Sequence, residues 1–231
     1  MNKGIIKKIY RVKDIENIQN KINQLGLDKK KYDAVTFLTL RMVTTILLTI
    51  LLLIFYYSKY FIIPFIVILY YNLFYYVFIT LPINKRIKKL DRDALVFFEV
   101  LTLSLESGKN LENSLELTCH NIDNDLSNEF KKSLFEIRFG KSLMESLEAL
   151  KKRIPSDTVN NIILNITQTS VFGSSIIDTM NTQVEYLREK QIMEVKAQIN
   201  KIPNKVSIVS VLFIIPLILL IILGPFIISL L

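Results

Sequence analysis

The sequence predicts an all-α integral membrane protein with three transmembrane helices and a cytoplasmic six-helix bundle made of three helical hairpins. Three observations carry that expectation. Long apolar blocks occupy residues 36–57, 60–82 and 206–231. A short glycine-led pattern recurs three times between the second and third blocks. No stretch alternates apolar and polar residues as a half-buried strand must.

Residues 1–35 form the first region. Ile5, Ile6, Ile9, Val12, Ile15, Ile18, Ile22 and Leu25 recur at three- and four-residue steps with lysines opposite, and Gly26 follows. That spacing describes an amphipathic helix. Such a helix can lie on a membrane surface or dock on protein, and its sequence leaves both open. A cleaved signal peptide does not fit, because polar, helix-prone residues precede the first apolar block.

The block 36–57 carries a single charge, Arg41, and the block 60–82 carries none. Each exceeds the ~20 apolar residues that a helix needs to cross a bilayer core. Only Ser58 and Lys59 separate them, which predicts a tight antiparallel hairpin. The third block is also uncharged. Lys29, Lys30 and Lys31 precede the first span, and Lys85, Arg86, Lys88, Lys89 and Arg92 follow the second. Basic residues collect on the cytoplasmic side, so the N-terminus and residues 83–205 are expected in the cytoplasm and the C-terminus outside.

The chain has 231 residues and a formal charge of +8. A basic balance can signal nucleic acid, but residues 84–205 hold 18 basic and 17 acidic side chains. The surplus lies beside the membrane, where anionic headgroups meet it. Nucleic acid is therefore not an expected partner.

The three repeats begin Gly108-Lys109-Asn110-Leu111, Gly140-Lys141-Ser142-Leu143 and Gly173-Ser174-Ser175-Ile176, with glycines 32 and 33 residues apart. Glycine takes the left-handed conformation that ends a helix. Asn110, Ser142 and Ser175 can then cap the next one. Ser142 and Glu145 have the spacing of a capping box. Helices are expected at about 91–107, 111–121, 127–139, 143–153 and 158–172, with Ser127 capping the third. A sixth starts after Ser175, and Pro203 is expected to kink or break it. On the first, Leu95, Phe98, Leu101, Thr102 and Leu105 share a face.

Motifs of chemistry are missing. There is no GxxxxGK[ST] phosphate loop and no GxSxG, HExxH or CxxC. Cys119 and His120 are the only residues of their kinds. Adjacent helical positions diverge by about 100°, so they form neither a catalytic pair nor a metal site. No enzyme activity, cofactor or metal is expected. In the second span Tyr70, Tyr71 and Asn72 suit hydrogen bonding to another span or subunit.

Asp93-Ala94-Leu95, Leu105-Glu106-Ser107-Gly108-Lys109-Asn110-Leu111, Arg138-Phe139-Gly140-Lys141-Ser142-Leu143, Phe172-Gly173-Ser174-Ser175-Ile176 and Leu223-Gly224-Pro225 occur in that order. Over residues 60–231 the chain thereby resembles the type II secretion F-domain family, and most of all its single-domain, Tad-type members. The resemblance implies a non-catalytic platform of type IV filament systems. It implies coupling of a cytoplasmic hexameric ATPase to the extraction of pilin or pseudopilin subunits. It further implies association with itself or a related platform paralogue. Lys85, Arg86, Lys88, Lys89, Lys141 and Arg188 are then candidate contacts for the ATPase or for lipid headgroups, on charge and position. The same residues could instead be anchors and solvated faces. A membrane-anchored signalling adaptor and a transporter subunit are the competing functional classes.

Overall fold

The computed structural model describes residues 10–26, 33–55, 61–172 and 175–230. Residues 1–9 and 27–32 of the expected N-terminal helix, the Ser58-Lys59 turn and Gly173-Ser174 lie outside the described residues. The described residues are helical, with no strand among them. Helix α1 is Val12–Gln24, α2 is Ala34–Phe55 and α3 is Ile63–Tyr75. After a π-helical turn, Tyr76–Thr80, come α4 (Leu81–Glu106), α5 (Leu111–Asn121) and α6 (Asp125–Arg138). They are followed by α7 (Leu143–Arg153), α8 (Asp157–Phe172) and α9 (Ile176–Leu230). Residues 1–183 form one compact unit and residues 184–231 another.

Helix α2 is 22 residues long, about 33 Å at 1.5 Å per residue, which matches a hydrocarbon core of ~30 Å. It exposes Leu47, Leu53, Ile54 and Phe55, and α3 exposes Phe65, Ile68 and Leu69. A helix apolar on every side is at home in lipid, because water would charge the full hydrophobic cost of each face. α2 packs along α3 as the short connection requires. Two helices, Ala34–Phe55 and Ile63–Glu106, are long and apolar enough to span a membrane. Within α9 the apolar stretch is Ser210–Leu223.

The second apolar helix does not stop where its apolar block ends. Helix runs unbroken from Ile63 to Glu106, so the first bundle helix begins at Leu81 and not near Asp91. Pro82 explains the π turn before it. Proline has no N–H to donate, and its ring collides with the carbonyl four residues back. Widening the preceding turn absorbs both defects without ending the helix. α9 likewise stays helical past Pro203 and Pro216, so neither proline ends it.

α4 is the centre of the bundle and packs against α5, α6 and α8. Leu90, Ala94, Phe97, Phe98, Leu101 and Leu105 line its buried stripe. Phe97 stacks on Phe130 of α6 at 4.5 Å between ring centroids and meets Phe98 edge-on at 5.4 Å. Leu115, Leu150, Ile162 and Ile163 close the core from α5, α7 and α8. The expected face missed Ala94 and Phe97, and Leu95 is only half-buried.

The turns follow the glycine pattern. Gly108 and Gly140 have φ of 84° and 94°, and Asn110 accepts from the Asn113 amide at 2.8 Å. Ser142 and Glu145 bond reciprocally as a capping box. Ser175 accepts from the Asp178 amide at 3.3 Å. Asn124, not Ser127, caps α6, and the Ser127 amide is the donor at 2.8 Å. The Asn124 carboxamide reaches the third amide of the helix, whereas Ser127 is already inside it. Ser142→Ala should cost about 1 kcal/mol, the usual loss for a removed cap. Thermal unfolding in detergent would show it, and an unchanged midpoint would mean the box is idle.

Candidate functional site at the junction of hairpin and bundle

Helix α1 docks on protein. Ile15, Ile18 and Ile22 turn inward at helical spacing, the first two half-buried and Ile22 buried. The helix packs against both α2 of the membrane hairpin and α7 of the bundle. It therefore bridges two parts of the structure, and two polar clusters secure its ends.

The first cluster surrounds Arg41, which is only 7% exposed on α2. Its guanidinium carbon lies 3.4 Å from the Tyr71 ring centroid and 5.4 Å from that of Tyr75. Nη2 donates to the Tyr71 carbonyl at 2.9 Å. These contacts replace the water that a charge loses on burial. Around this core α1 adds its own bonds. Lys21 Nζ donates to the Tyr75 hydroxyl at 2.8 Å, and Gln19 accepts from the Ala34 amide at 2.9 Å. Tyr10, just before α1, shares a 2.8 Å hydroxyl bond with Tyr71. Asn72, by contrast, donates back to Ile68 of its own helix.

The second cluster runs through the bundle. Arg86 of α4 donates to the Gln24 carbonyl at the end of α1 and, at 2.8 Å, to Glu129 of α6. The two side chains are 11% and 3% exposed. Glu129 also pairs with Lys132 at 2.9 Å and with Arg153 of α7 at 3.4 Å. Arg153 continues to Glu136 at 2.8 Å and to the Ser133 hydroxyl at 2.7 Å, and Lys141 pairs with Glu136 at 2.8 Å. Burial alone would raise the Glu136 pKa, but the Lys141 hydrogen bond and the Arg153 charge bring it below the ordinary carboxylate value. One connected network thus ties α1, α4, α6 and α7. It borders a cleft of about 1060 Å³ lined by Asn20, Asn23, Phe135, Lys152 and Arg153 among others.

The six basic residues singled out from sequence separate into distinct environments. Lys85, Lys88 and Lys89 lie on an exposed stripe of α4. Lys89 pairs with Asp125 at 2.9 Å, and that hydrogen bond raises its pKa. Among the described residues, Lys85 and Lys88 have no ion-pair partner. Arg86, about 100° round the helix from Lys85, turns into the network. Lys141 sits at the cleft with Glu136, and Arg188 of the second unit pairs with Glu185 at 3.3 Å. The inward turn of Arg86 was readable, since 86, 90, 94, 97 and 101 fall at helical spacing. Arg41 carried a signal as well, as the one charge in an apolar block. Gln19 and Lys21 carried none that singled them out.

Gly26 shows how closely α1 abuts the network. Its φ is 71°, and an added Cβ would lie 2.6 Å from the Arg86 guanidinium carbon. At Gly108 the same Cβ meets open space. Gly108→Ala should therefore cost only the left-handed penalty of about 1–2 kcal/mol. Gly26→Ala should cost more and also loosen Arg86 from Gln24. Equal shifts in unfolding midpoint for the two variants would contradict this.

No group of three or more His, Cys, Asp or Glu that could hold a metal occurs among the described residues. Burial pushes the Cys119 thiol up to about 11, so it is protonated at neutral pH and a poor nucleophile. His120 is exposed. The site joins α1, the apolar hairpin and the bundle through buried ion pairs and hydrogen bonds.

The family model for type II secretion system protein F matches residues 97–224. The match runs from the core half of α4 through the three capped turns and into the apolar end of α9. α1, Arg41 and Arg86 lie outside it. No curated protein and no solved structure matches the chain. With more than half of its length matched, from the Phe97 core position to Gly224, this chain belongs to the type II secretion system protein F family.

Proposed function

We propose that the chain is the membrane platform of a type IV pilus, Tad-like or type II secretion assembly machine. In this reading it couples a cytoplasmic hexameric ATPase to pilin extraction and filament assembly. The observation that carries the reading is mechanical. One helix, Ile63–Glu106, serves both as a membrane span and as the central helix of the bundle. A load applied to the bundle therefore reaches the membrane hairpin without crossing a flexible linker. α1 supports the same transfer, because it is bonded to the hairpin around Arg41 and to the bundle through Arg86.

The proposed topology has the N-terminus and the bundle in the cytoplasm. The apolar end of α9 is the third span, with the C-terminus outside. The bundle, in this reading, comprises the six helices from α4 to the start of α9. The chain performs no hydrolysis itself, since the motor supplies the energy. Lys85, Lys88 and Lys89 form the proposed contact stripe for the ATPase or anionic headgroups. Lys141 and Arg188 are secondary candidates, and Arg86 is proposed as an internal brace. Pilin or pseudopilin is the partner expected at the spans.

A pull-down of the tagged full-length chain from native membranes tests this. A secretion-type ATPase together with a pilin or a related three-span protein is the expected recovery. Signalling or transport components without such an ATPase would sink the platform reading. Lys85→Glu combined with Lys88→Glu should lower ATPase recovery about tenfold, equivalent to ~1.4 kcal/mol of binding. Unchanged recovery would assign the stripe to lipid.

A further inference from the structure

We propose that the hairpin of α2 and α3 thins the bilayer around it, holding the hydrocarbon to about 24 Å on the side where α1 docks. The cytoplasmic edge of that layer is fixed by α1. The buried residues of α2 are Ala34, Leu38 and Arg41, all within its first two turns, and Gln19 of α1 accepts from the Ala34 amide. Past Arg41 no residue of α2 is buried. At the same level of α3, Lys21 bonds the Tyr75 hydroxyl and Tyr10 that of Tyr71. A cavity of about 490 Å³ beside Tyr75 is lined by Asp14, Asn17, Asn20 and Lys21. Charged and amide groups of this kind belong in water or among headgroups and are costly in hydrocarbon.

The opposite edge is set by Ser58 and Lys59. Between Arg41 and Ser58 stand residues 42–57, about 24 Å at the helical rise. Between Lys59 and Tyr75 stand residues 60–74, about 23 Å. An ordinary hydrocarbon core measures ~30 Å. Tilting the hairpin only shortens its reach. Nor does Arg41 snorkel across the gap, because its guanidinium is fixed on the Tyr71 carbonyl at 2.9 Å. Tyrosines mark both edges, with Tyr56, Tyr57 and Tyr60 at one and Tyr70, Tyr71 and Tyr75 at the other. Residues 42–55 and 61–69 hold none. Tyrosine collects at membrane–water interfaces, so the two groups measure the layer between them. A hairpin too short for its bilayer is accommodated by thinning it. The inference rests on the proposed function for one point, that the hairpin crosses the membrane. In such a machine, a helix drawn out of the bilayer at this face has less apolar surface to bring into water.

The test is lipid competition on the full-length chain carrying Phe65→Trp, reconstituted in phosphatidylcholine vesicles. The chain has no tryptophan of its own, and Phe65 is exposed on α3. Quenching by brominated dioleoyl lipid is read as the shorter dimyristoleoyl or the longer dierucoyl lipid is added. The hairpin should select the shorter lipid over dioleoyl about threefold, because each ångström of mismatch carries a cost, and should select against the longer one. Equal binding of all three, or preference for the longest, would overturn the proposal. Arg41→Leu lengthens the apolar run and should move the preference toward dioleoyl. An unmoved preference in that variant counts against Arg41 as the edge, and the parent series decides if the variant does not fold. Crossing is checked in cells with Ser58→Cys and a membrane-impermeant maleimide, against a low background because Cys119 is buried. Labelling from outside without a chain-length preference defeats this inference alone. Labelling only from the cytoplasmic side defeats the proposed topology.

Discussion

Glu129→Ala is expected to lower the unfolding free energy by about 3–5 kcal/mol, the cost of leaving a buried charge without its partner. Glu129 is 3% exposed and Arg86 11%. Removing the carboxylate strands Arg86 and weakens the hold on Arg153 at once, and water cannot easily reach either position. The contrast is the surface pair Arg138–Glu116, 68% and 39% exposed, for which Arg138→Ala should cost less than about 1 kcal/mol. Replacing both partners, Arg86→Met with Glu129→Leu, should recover much of the loss, because no orphaned charge remains. Denaturant unfolding of the detergent-solubilised chain measures all three. A Glu129→Ala cost no larger than that of Arg138→Ala would mean that solvent reaches the network and that it does not brace the junction.

Phe130→Ala, one residue further along the same helix, should cost a similar amount for a different reason. Phe130 is 1% exposed, stacks on Phe97 at 4.5 Å and stands 6.3 Å from Phe98. Large-to-small changes at such a site typically cost 3–5 kcal/mol, part lost transfer energy and part residual cavity. Phe135 and Phe139, also near the end of α6, are 61% and 75% exposed. Their alanine variants should stay within about 0.5 kcal/mol. The same unfolding experiment separates the groups, and a Phe130→Ala cost below 1 kcal/mol would place the core elsewhere.

These two neighbours differ in how readable they were. Phe130 lies on an amphipathic helix between a polar cap and a glycine turn, so its burial follows from local pattern. Glu129 looks like any helix-surface carboxylate. Its burial depends on Arg86 and Arg153, which come from α4 and α7, and long-range placement of that kind leaves no periodic trace. Arg86 itself was grouped with Lys85, Lys88 and Lys89 by charge. Only its position on the apolar stripe of α4 sets it apart, and that stripe extends further toward the membrane than the break expected before Asp91. The continuity of the second span with α4 was hidden because Pro82 ordinarily signals an end. A π turn removes the clash, and a single sequence does not announce one.

Local chemistry determined, from the sequence by itself, the all-α class, the first two long apolar helices, the glycine turns at 108 and 140, and the Asn110 and Ser142 caps. Each depends on residues within a few positions of one another, where hydrogen-bonding reach and backbone geometry leave few alternatives. The tertiary structure alone decided that α1 docks between α2 and α7, that Arg41 is buried against Tyr71, and that Glu129 joins α4 to α6 and α7. Those outcomes depend on which desolvated charges find partners across separations of 24 to 62 residues. Burial makes such partners obligatory, yet only folding selects them.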